Sequence, residues 1–326
     1  MSMTPSTPNY DTVQESLTTL GLNPETRPIP VYNFRVSLTV FSIIVILGAL
    51  LGYGQPLLGL VVTGIAWLLL AAELIQPVLA KVKPGLSQNL AVTIPARSKE
   101  FQKVVIVVPS GGQAVLPATA LSEHLYYGLG LVLGLAAVLI QLAGLQNGAA
   151  ILPSALLPVV GLLILAGLPE AKERKHAPIN GAALTELVAM LFKARPATTT
   201  VSLLFAGSAS LNSGTLELVQ SLKKGPELTY VIVLGSAAGP ELQLVLSEGL
   251  LHLPADPFLK ETLVEVAVQK GIPLLQKNSA ELSRALPLKT RKYRTITLLL
   301  PETDHEAATG RNLRELLAGF IRQIEG

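Results

Sequence analysis

The sequence predicts an α/β domain, with a mostly parallel sheet in three α/β/α layers, joined to four apolar helices in two hairpins. The observations behind this are two long charge-free windows, short strands rich in branched residues, and amphipathic stretches between the strands. No Asp, Glu, Lys or Arg occurs from Val36 to Ala72 or from Leu125 to Pro169. A membrane span needs about 20 apolar residues, so each window is long enough for two helices.

The apolar windows predict an integral membrane protein with four transmembrane helices. Half of the 326 residues are apolar and only 14% are charged, and the mean hydropathy is +0.51, which is high for a soluble chain of this length. Breaks at Gly52 to Pro56 and at Gln146 to Gly148 divide the windows into hairpins. Two hairpins buried in a soluble protein are the alternative, but buried helices of such proteins normally keep a polar face.

Basic residues next to the windows predict the orientation of the chain. Arg35 precedes the first predicted span, Lys81 follows the second, and Lys172 follows the fourth. By the positive-inside rule the soluble domain faces the cytoplasm. We therefore expect a multi-pass protein of the plasma membrane, with the lipid bilayer as one partner.

The predicted hairpins divide the chain into five segments. They are an N-terminal tail with a short amphipathic helix (1–35), a first transmembrane hairpin (36–80), the first part of the α/β domain (81–124), a second transmembrane hairpin (125–169) and the remainder of the α/β domain (170–326). The chain has no Cys, which excludes disulfides and thiolate ligands. A net charge of +3 gives no reason to expect a nucleic-acid partner.

Alternating strand and helix patterns predict the order of elements in the α/β domain. Runs of branched apolar residues are typical of buried parallel strands, and apolar residues three and four apart are typical of helices. The predicted strands are Asn89 to Pro95, Lys103 to Val108, Thr199 to Phe205, Tyr230 to Leu234 and Arg294 to Leu300. The predicted helices are Asn180 to Lys193, Leu216 to Lys223, Leu259 to Lys270 and Asn312 to Ile324.

This order of elements carries a resemblance to a known family. With a Leu20-Gly21 turn after the first short helix and a strand beginning at Asn89, the chain resembles the zinc-dependent aminopeptidases of metallopeptidase family twenty-eight, especially their membrane-anchored relatives. The resemblance implies an aminopeptidase-like fold whose metal ligands follow successive strands.

The ligand positions that the resemblance implies hold other residue types here. Pro109 and Gly111 stand at the His-x-Asp motif, Ile179 beside Asn180 at the bridging Asp, and Gly235 at a later Asp; only His305 echoes a ligand. The resemblance therefore implies a degenerate site with no metal, no cofactor and no catalytic residue. Its candidate cleft is formed by Pro109, Ser110, Gly111, Ile179, Asn180, Ser208, Ser210, Gly235 and His305.

Counting potential ligands gives the same expectation without the resemblance. A hydrolytic zinc site needs about three protein ligands and a base, and the chain contains only four His, with its Asp residues at 11, 256 and 304. None of the His residues has the short spacing of a ligand pair. A zinc site is thus not predicted.

The predicted function is an integral membrane pseudo-peptidase that binds a protein or peptide, or supports assembly of a membrane complex. The alternative is an active membrane-bound peptidase or other hydrolase. A serine hydrolase using Ser110 or Ser208 with His305 and Asp304 would lack the Gly-x-Ser-x-Gly elbow. A transporter is a further alternative, for which Glu73 is the residue to test.

Overall fold

The computed structural model describes fourteen stretches of the chain. They are residues 14–15, 17–31, 34–75, 83–109, 114–115, 123–147, 172–173, 181–206, 228–237, 239–248, 252–279, 285–289, 292–301 and 306–325. They form two compact units, each described by itself below. The α/β unit comprises Met1–Ile29, Ser87–Gly112 and Lys175–Gly326, and the helical unit comprises Pro30–Leu86 and Gln113–Arg174.

A nine-stranded mixed sheet forms the centre of the α/β fold. Its strands are β1 (Glu25–Val31), β2 (Lys83–Ile94), β3 (Gln102–Pro109), β6 (Thr199–Ala206), β7 (Thr229–Ala237), β8 (Leu242–Glu248), β9 (Leu253–Pro254), β10 (Leu274–Ser279) and β11 (Arg294–Pro301). The order is β1-β2-β6-β3-β7-β11-β8-β10, with β9 pairing with β8. Strands β6, β3, β7 and β11 run parallel to one another, whereas β2 and β8 run antiparallel to their neighbours β6 and β11.

Strands β3 and β6 are buried along most of their length, and β3 contains a continuous run of branched apolar residues. All eight residues of β6 are buried, as are Val104 to Val108 of β3. Such continuous apolar runs are characteristic of parallel sheets that are covered on both faces. Strand β3, which precedes the second charge-free window, lies between β6 and β7, which follow it.

Helices α4 (Gly181–Lys193), α5 (Pro257–Lys270) and α7 (Glu306–Glu325) cover one face of this sheet. Their apolar stripes share a single buried core with the sheet, which includes Leu187, Leu263 and Phe320. The short helix α6 (Leu286–Lys289) lies on the other face, where Leu288 packs with side chains of β3, β6 and β7. The predicted strands from 103 to 300 and the helices beginning at 180 and 259 correspond to these elements within a few residues. Helix α7 begins at Glu306, earlier than the predicted Asn312, and the predicted helix Leu216 to Lys223 lies outside the described residues.

The helical unit contains three long apolar helices: α1 (Phe34–Gly54), α2 (Pro56–Ile75) and α3 (Glu123–Asn147). Small residues bring α1 and α2 together, because a Cβ atom on Gly59 would lie 2.6 Å from the carbonyl oxygen of Gly48. Helix α3 packs on α2 through Trp67, whose indole nitrogen donates to the carbonyl oxygen of Leu131 at 3.1 Å. The two-residue strands β4 (Ala114–Val115) and β5 (Lys172–Glu173) pair antiparallel in the same unit.

The membrane predictions are contradicted by the described helices. In the part of the chain that the structure describes, no helix combines the length and apolarity needed to cross a membrane. The charge-free windows did not locate the ends of the helices, because Arg35 lies inside α1 and Glu73 lies inside α2. The second window contributes one helix, α3, to the described part of the chain. The prediction of four transmembrane helices is therefore wrong. So are the predicted multi-pass plasma-membrane location and the predicted function of an integral membrane pseudo-peptidase.

Candidate functional site

The four parallel strands end together at one edge of the sheet, here called the carboxyl edge. Pro109 of β3 is level with Ala206 of β6, and Pro301 of β11 is level with Ala237 of β7. Ligand sites of α/β sheets lie outside the carboxyl ends of the parallel strands. Here the four strand ends carry two prolines and two alanines, which offer no side-chain lone pair or charge.

These residues do not fit a zinc site. Neither Pro109 nor Gly235, which stand where the family resemblance places a His and an Asp, has a side chain that could bind a metal ion. Among the described residues, no three His, Cys, Asp or Glu side chains lie close enough together to hold one. Among the described residues, this edge therefore offers neither metal ligands nor a catalytic base.

Two of the nine candidate cleft residues can be placed in the fold. Pro109 and Gly235 lie near the carboxyl ends of the adjacent strands β3 and β7. A Cβ atom on Gly235 would lie 2.7 Å from a methyl group of Leu299 on β11, so the glycine makes room for that side chain. The other seven lie outside the described residues: Ser110, Gly111, Ile179, Asn180, Ser208, Ser210 and His305.

The opposite edge, here called the amino edge, carries a buried ion pair. Glu248 ends β8 and lies 3.4 Å from the ammonium group of Lys289, and both side chains are buried. The Thr297 hydroxyl donates to the same carboxylate, and Lys289 donates to the carbonyl oxygen of Leu253 at 3.3 Å. Burial lowers the pKa of Lys289 from its ordinary value, while the neighbouring Glu248 acts in the opposite direction.

An arginine next to two stacked aromatic rings ties the start of α5 to the amino edge. Arg294, the first residue of β11, binds the Asp256 carboxylate through Nε at 3.0 Å and Nη2 at 3.2 Å. Its guanidinium lies 4.9 Å from the ring centre of Tyr230 and 4.7 Å from that of Phe258. Asp256 also caps α5, because its side chain accepts from the amide of Leu259 at 3.0 Å.

The last turn of α7 supplies a third carboxylate to the amino edge. Glu325 accepts from the amides of Ala197, Thr198 and Thr199 at 2.8 to 2.9 Å, just before and at the start of β6. Burial by itself would raise the pKa of Glu325, but the hydrogen bonds outweigh it and the pKa lies below its ordinary value. Gln102 reinforces the contact by donating to the carbonyl oxygen of Ile324 at 2.8 Å.

Sequence reasoning missed all three of these carboxylates, because their partners are distant in sequence. Local spacing gave no signal for Glu248 or Glu325. A cluster of Lys and Arg residues such as that from 289 to 294 is typical of a solvated loop, but Lys289 and Arg294 form the ion pairs described above. The Asp256-Pro257 pair before an apolar periodic stretch was the one local signal, since it is typical of a helix N-terminus.

Comparisons with known proteins find similarity in structure alone. No protein family and no curated protein matches the chain. Its structural neighbours are zinc aminopeptidases and glutaminyl cyclases.

Three solved structures illustrate the extent of this likeness. The glutaminyl cyclase of Porphyromonas gingivalis is 10% identical, with a TM-score of 0.46 and coverage of 96% of this chain and 87% of that one. The glutaminyl cyclase of an Acidobacteriales bacterium is 14% identical, with a TM-score of 0.39 and coverage of 73% and 74%. BSAP, a zinc aminopeptidase of Bacillus subtilis, is 11% identical, with a TM-score of 0.42 and coverage of 73% and 50%.

Proposed function

We propose that the α/β unit is a non-catalytic domain whose ligand positions have been replaced, and that it binds a protein or peptide partner at its carboxyl edge. One observation carries this proposal: the four parallel strands end in Ala206, Pro109, Ala237 and Pro301. Acid–base or metal chemistry requires ionisable side chains at that edge, and these residues have none.

The distribution of charge supports the same proposal. The carboxylates of Glu248, Asp256 and Glu325 all lie at the amino edge, and each is held by an ion pair or by hydrogen bonds within the fold. A carboxylate committed in this way is not positioned to bind a substrate at the other end of the strands. These three carboxylates therefore stabilise the sheet, whereas the described carboxyl ends of the four parallel strands are small apolar residues.

Small apolar residues suit contact with another polypeptide. A peptide can be recognised through its backbone and through shallow apolar pockets, without any charged group in the binding site. Pro240, which follows β7 beyond the carboxyl edge, is exposed to solvent and available for such a contact.

Site-specific photo-crosslinking in cells tests where a partner binds. A photoreactive amino acid at Pro240 should give a discrete crosslinked product with a partner chain. The same amino acid at Phe101, which is 64% exposed and immediately precedes β3 at the amino edge, is the matched control and should give none. Equal crosslinking at both positions would show that the carboxyl edge is not the binding surface.

Activity assays on the purified full chain test the non-catalytic part of the proposal. We expect no release of amino acids from aminoacyl reporters and no cyclisation of peptides with an N-terminal glutamine, with or without added zinc or cobalt. Turnover that is abolished by a chelator and restored by zinc would overturn the proposal. Chelator-resistant turnover lost on replacing His305 with Ala would also overturn it, in favour of a metal-independent hydrolase.

A further inference from the structure

The two lateral edges of the nine-stranded sheet differ in how readily they can pair with a further strand. Strand β1 forms one of these edges and β10 forms the other. Strand β1 contains Pro28 and Pro30, which have no backbone N–H to donate to a neighbouring strand. Strand β10 contains no proline, and within the described ranges it pairs with β8 alone. The outer side of β10, here called the β10 edge, therefore has backbone donors and acceptors that a further strand can bind.

The side chains of β10 divide between its two faces. Leu274 packs against the apolar core that the sheet shares with α4, α5 and α7. Side chains alternate along a strand, and the pairing with β8 is regular as far as Lys277. Leu275 and Lys277 therefore project together from the opposite face, two residues apart. Leu275 is 48% exposed, so part of its side chain is available to a neighbouring strand.

Lys277 gives the β10 edge a positive charge. Its side chain is half-buried and forms no ion pair with any residue that the structure describes. Opposite charges on paired residues of neighbouring strands attract each other, whereas like charges repel. A carboxylate on an added strand therefore complements Lys277, as an apolar side chain complements Leu275.

A second copy of the chain is a poorer match for this edge. Strand β10 contains no Asp or Glu, so the same strand of a second copy offers no carboxylate to Lys277. If the two strands pair antiparallel about Lys277, the two ammonium groups lie opposite each other and repel. Lysines on edge strands discourage pairing between like edges in other proteins as well. The side chains of β10 thus favour a strand of different sequence.

We propose that an extended segment of another protein adds a strand at the β10 edge, with an apolar residue beside Leu275 and an Asp or Glu beside Lys277. Hydrogen bonds between the two backbones supply the affinity, and the two side-chain contacts supply the specificity. The segment has its apolar and acidic residues two positions apart, so that both lie on one face of the added strand. This surface runs along the side of the sheet, and the proposal does not depend on what binds at the carboxyl edge.

Binding of fluorescent peptides to the purified full chain tests the two side-chain contacts. The peptide Thr-Val-Thr-Glu-Thr-Val-Thr-Glu has the required pattern on one face, and a second peptide has Lys in place of each Glu. Fluorescence anisotropy should show saturable binding, with a Kd at least about threefold lower for the Glu peptide than for the Lys peptide. K277E should reverse this preference. The matched control K99E, at an exposed lysine between β2 and β3, should leave it unchanged.

Methylation of the peptide nitrogens tests whether the peptide binds as a strand. Successive residues of a strand direct their N–H groups to opposite sides, so only every second N–H of the peptide can donate to β10. One Glu peptide is methylated at its Val and Glu nitrogens, and another at its Thr nitrogens. One of the two should bind at least about tenfold more weakly than the parent peptide, and the other should retain binding.

Amide hydrogen exchange locates the site without any substitution. The Glu peptide should slow exchange within residues 274–279 and leave exchange in residues 25–31 of β1 unchanged. This pattern, together with the reversed preference of K277E, would support the proposal.

Three results would overturn the proposal. The first is the absence of saturable binding at millimolar peptide. The second is an equal effect of the two methylation patterns, which would show that the backbone of the peptide does not pair with β10. The third is protection of residues 274–279 that rises with protein concentration in the absence of peptide, because it would indicate that a second copy of the chain covers the β10 edge.

Discussion

At the amino edge of the central strands, Glu248, Asp256 and Glu325 are each held by hydrogen bonds or an ion pair, whereas the carboxyl edge ends in proline and alanine. In α/β proteins the carboxyl edge is the usual place for reactive groups. The described ionisable groups at the amino edge therefore serve stability, and our proposal assigns contact with a partner to the carboxyl edge. Substitutions at the two edges should therefore have different consequences.

The largest effect is expected at the buried pair of Glu248 and Lys289. E248Q leaves a buried ammonium group without its counter-charge, and the unfolding free energy should fall by about 3–5 kcal/mol. Chemical denaturation of the purified chain measures this change. The double variant E248Q/K289M removes both charges and should recover most of the loss, and a double variant as unstable as E248Q would show that the charge pair is not the cause.

A smaller loss is expected for R294A. The substitution removes a bidentate contact to Asp256 and the stacking on Tyr230 and Phe258, and we expect a loss of about 2 kcal/mol in unfolding free energy. R311A is the matched control, since Arg311 forms an exposed pair with Glu315 four residues away on α7. Thermal melting should show a lower Tm for R294A and an unchanged Tm for R311A; equal shifts would contradict the assigned role of Arg294.

The contact of Glu325 should make stability depend on pH. Because the pKa in the folded chain lies below the ordinary value of 4.5, this stabilisation is complete above pH 4.5 and is lost as the pH falls through the lower folded value. At neutral pH E325Q should lose about 1 kcal/mol. Between pH 4.5 and the onset of acid unfolding, the variant should lose less stability than the wild type, and parallel profiles would refute the contact.

The smallest effect on stability is expected at the carboxyl edge. A237S changes a half-buried residue at the end of β7, and the unfolding free energy should change by less than about 0.5 kcal/mol. The same substitution should weaken crosslinking of a partner through position 240. A stability loss as large as that of R294A would mean that the carboxyl edge is also committed to the fold.

Continuous apolar strands and amphipathic helices could be predicted from the sequence because their signal is local. Strand β3 and helices α4 and α5 were located within a few residues. Strand β10 was missed because it lies at the edge of the sheet and mixes polar with apolar residues, none of which is buried. Strand β1 was missed because it contains Pro28 and Pro30. Edge strands lack the regular alternation that marks a half-buried strand.

The amino-edge contacts could not be predicted because they depend on tertiary structure. Glu325 binds amides about 130 residues earlier in the chain, and nothing in its neighbourhood distinguishes it from a solvated glutamate. The membrane prediction failed for a related reason: a charge-free window reports composition, but not where a helix begins and ends. The residue types at positions 109 and 235 could be read directly, because residue type alone decides whether a side chain can bind zinc.

Metal content is the most direct test of the central claim that the carboxyl edge is non-catalytic. The purified full chain is incubated with excess zinc, passed through a desalting column and analysed by elemental mass spectrometry together with its protein concentration. The proposal predicts far less than one zinc ion per chain, indistinguishable from a metal-free control protein. One or two zinc ions retained per chain would contradict it and would mean that this chain has a metal site.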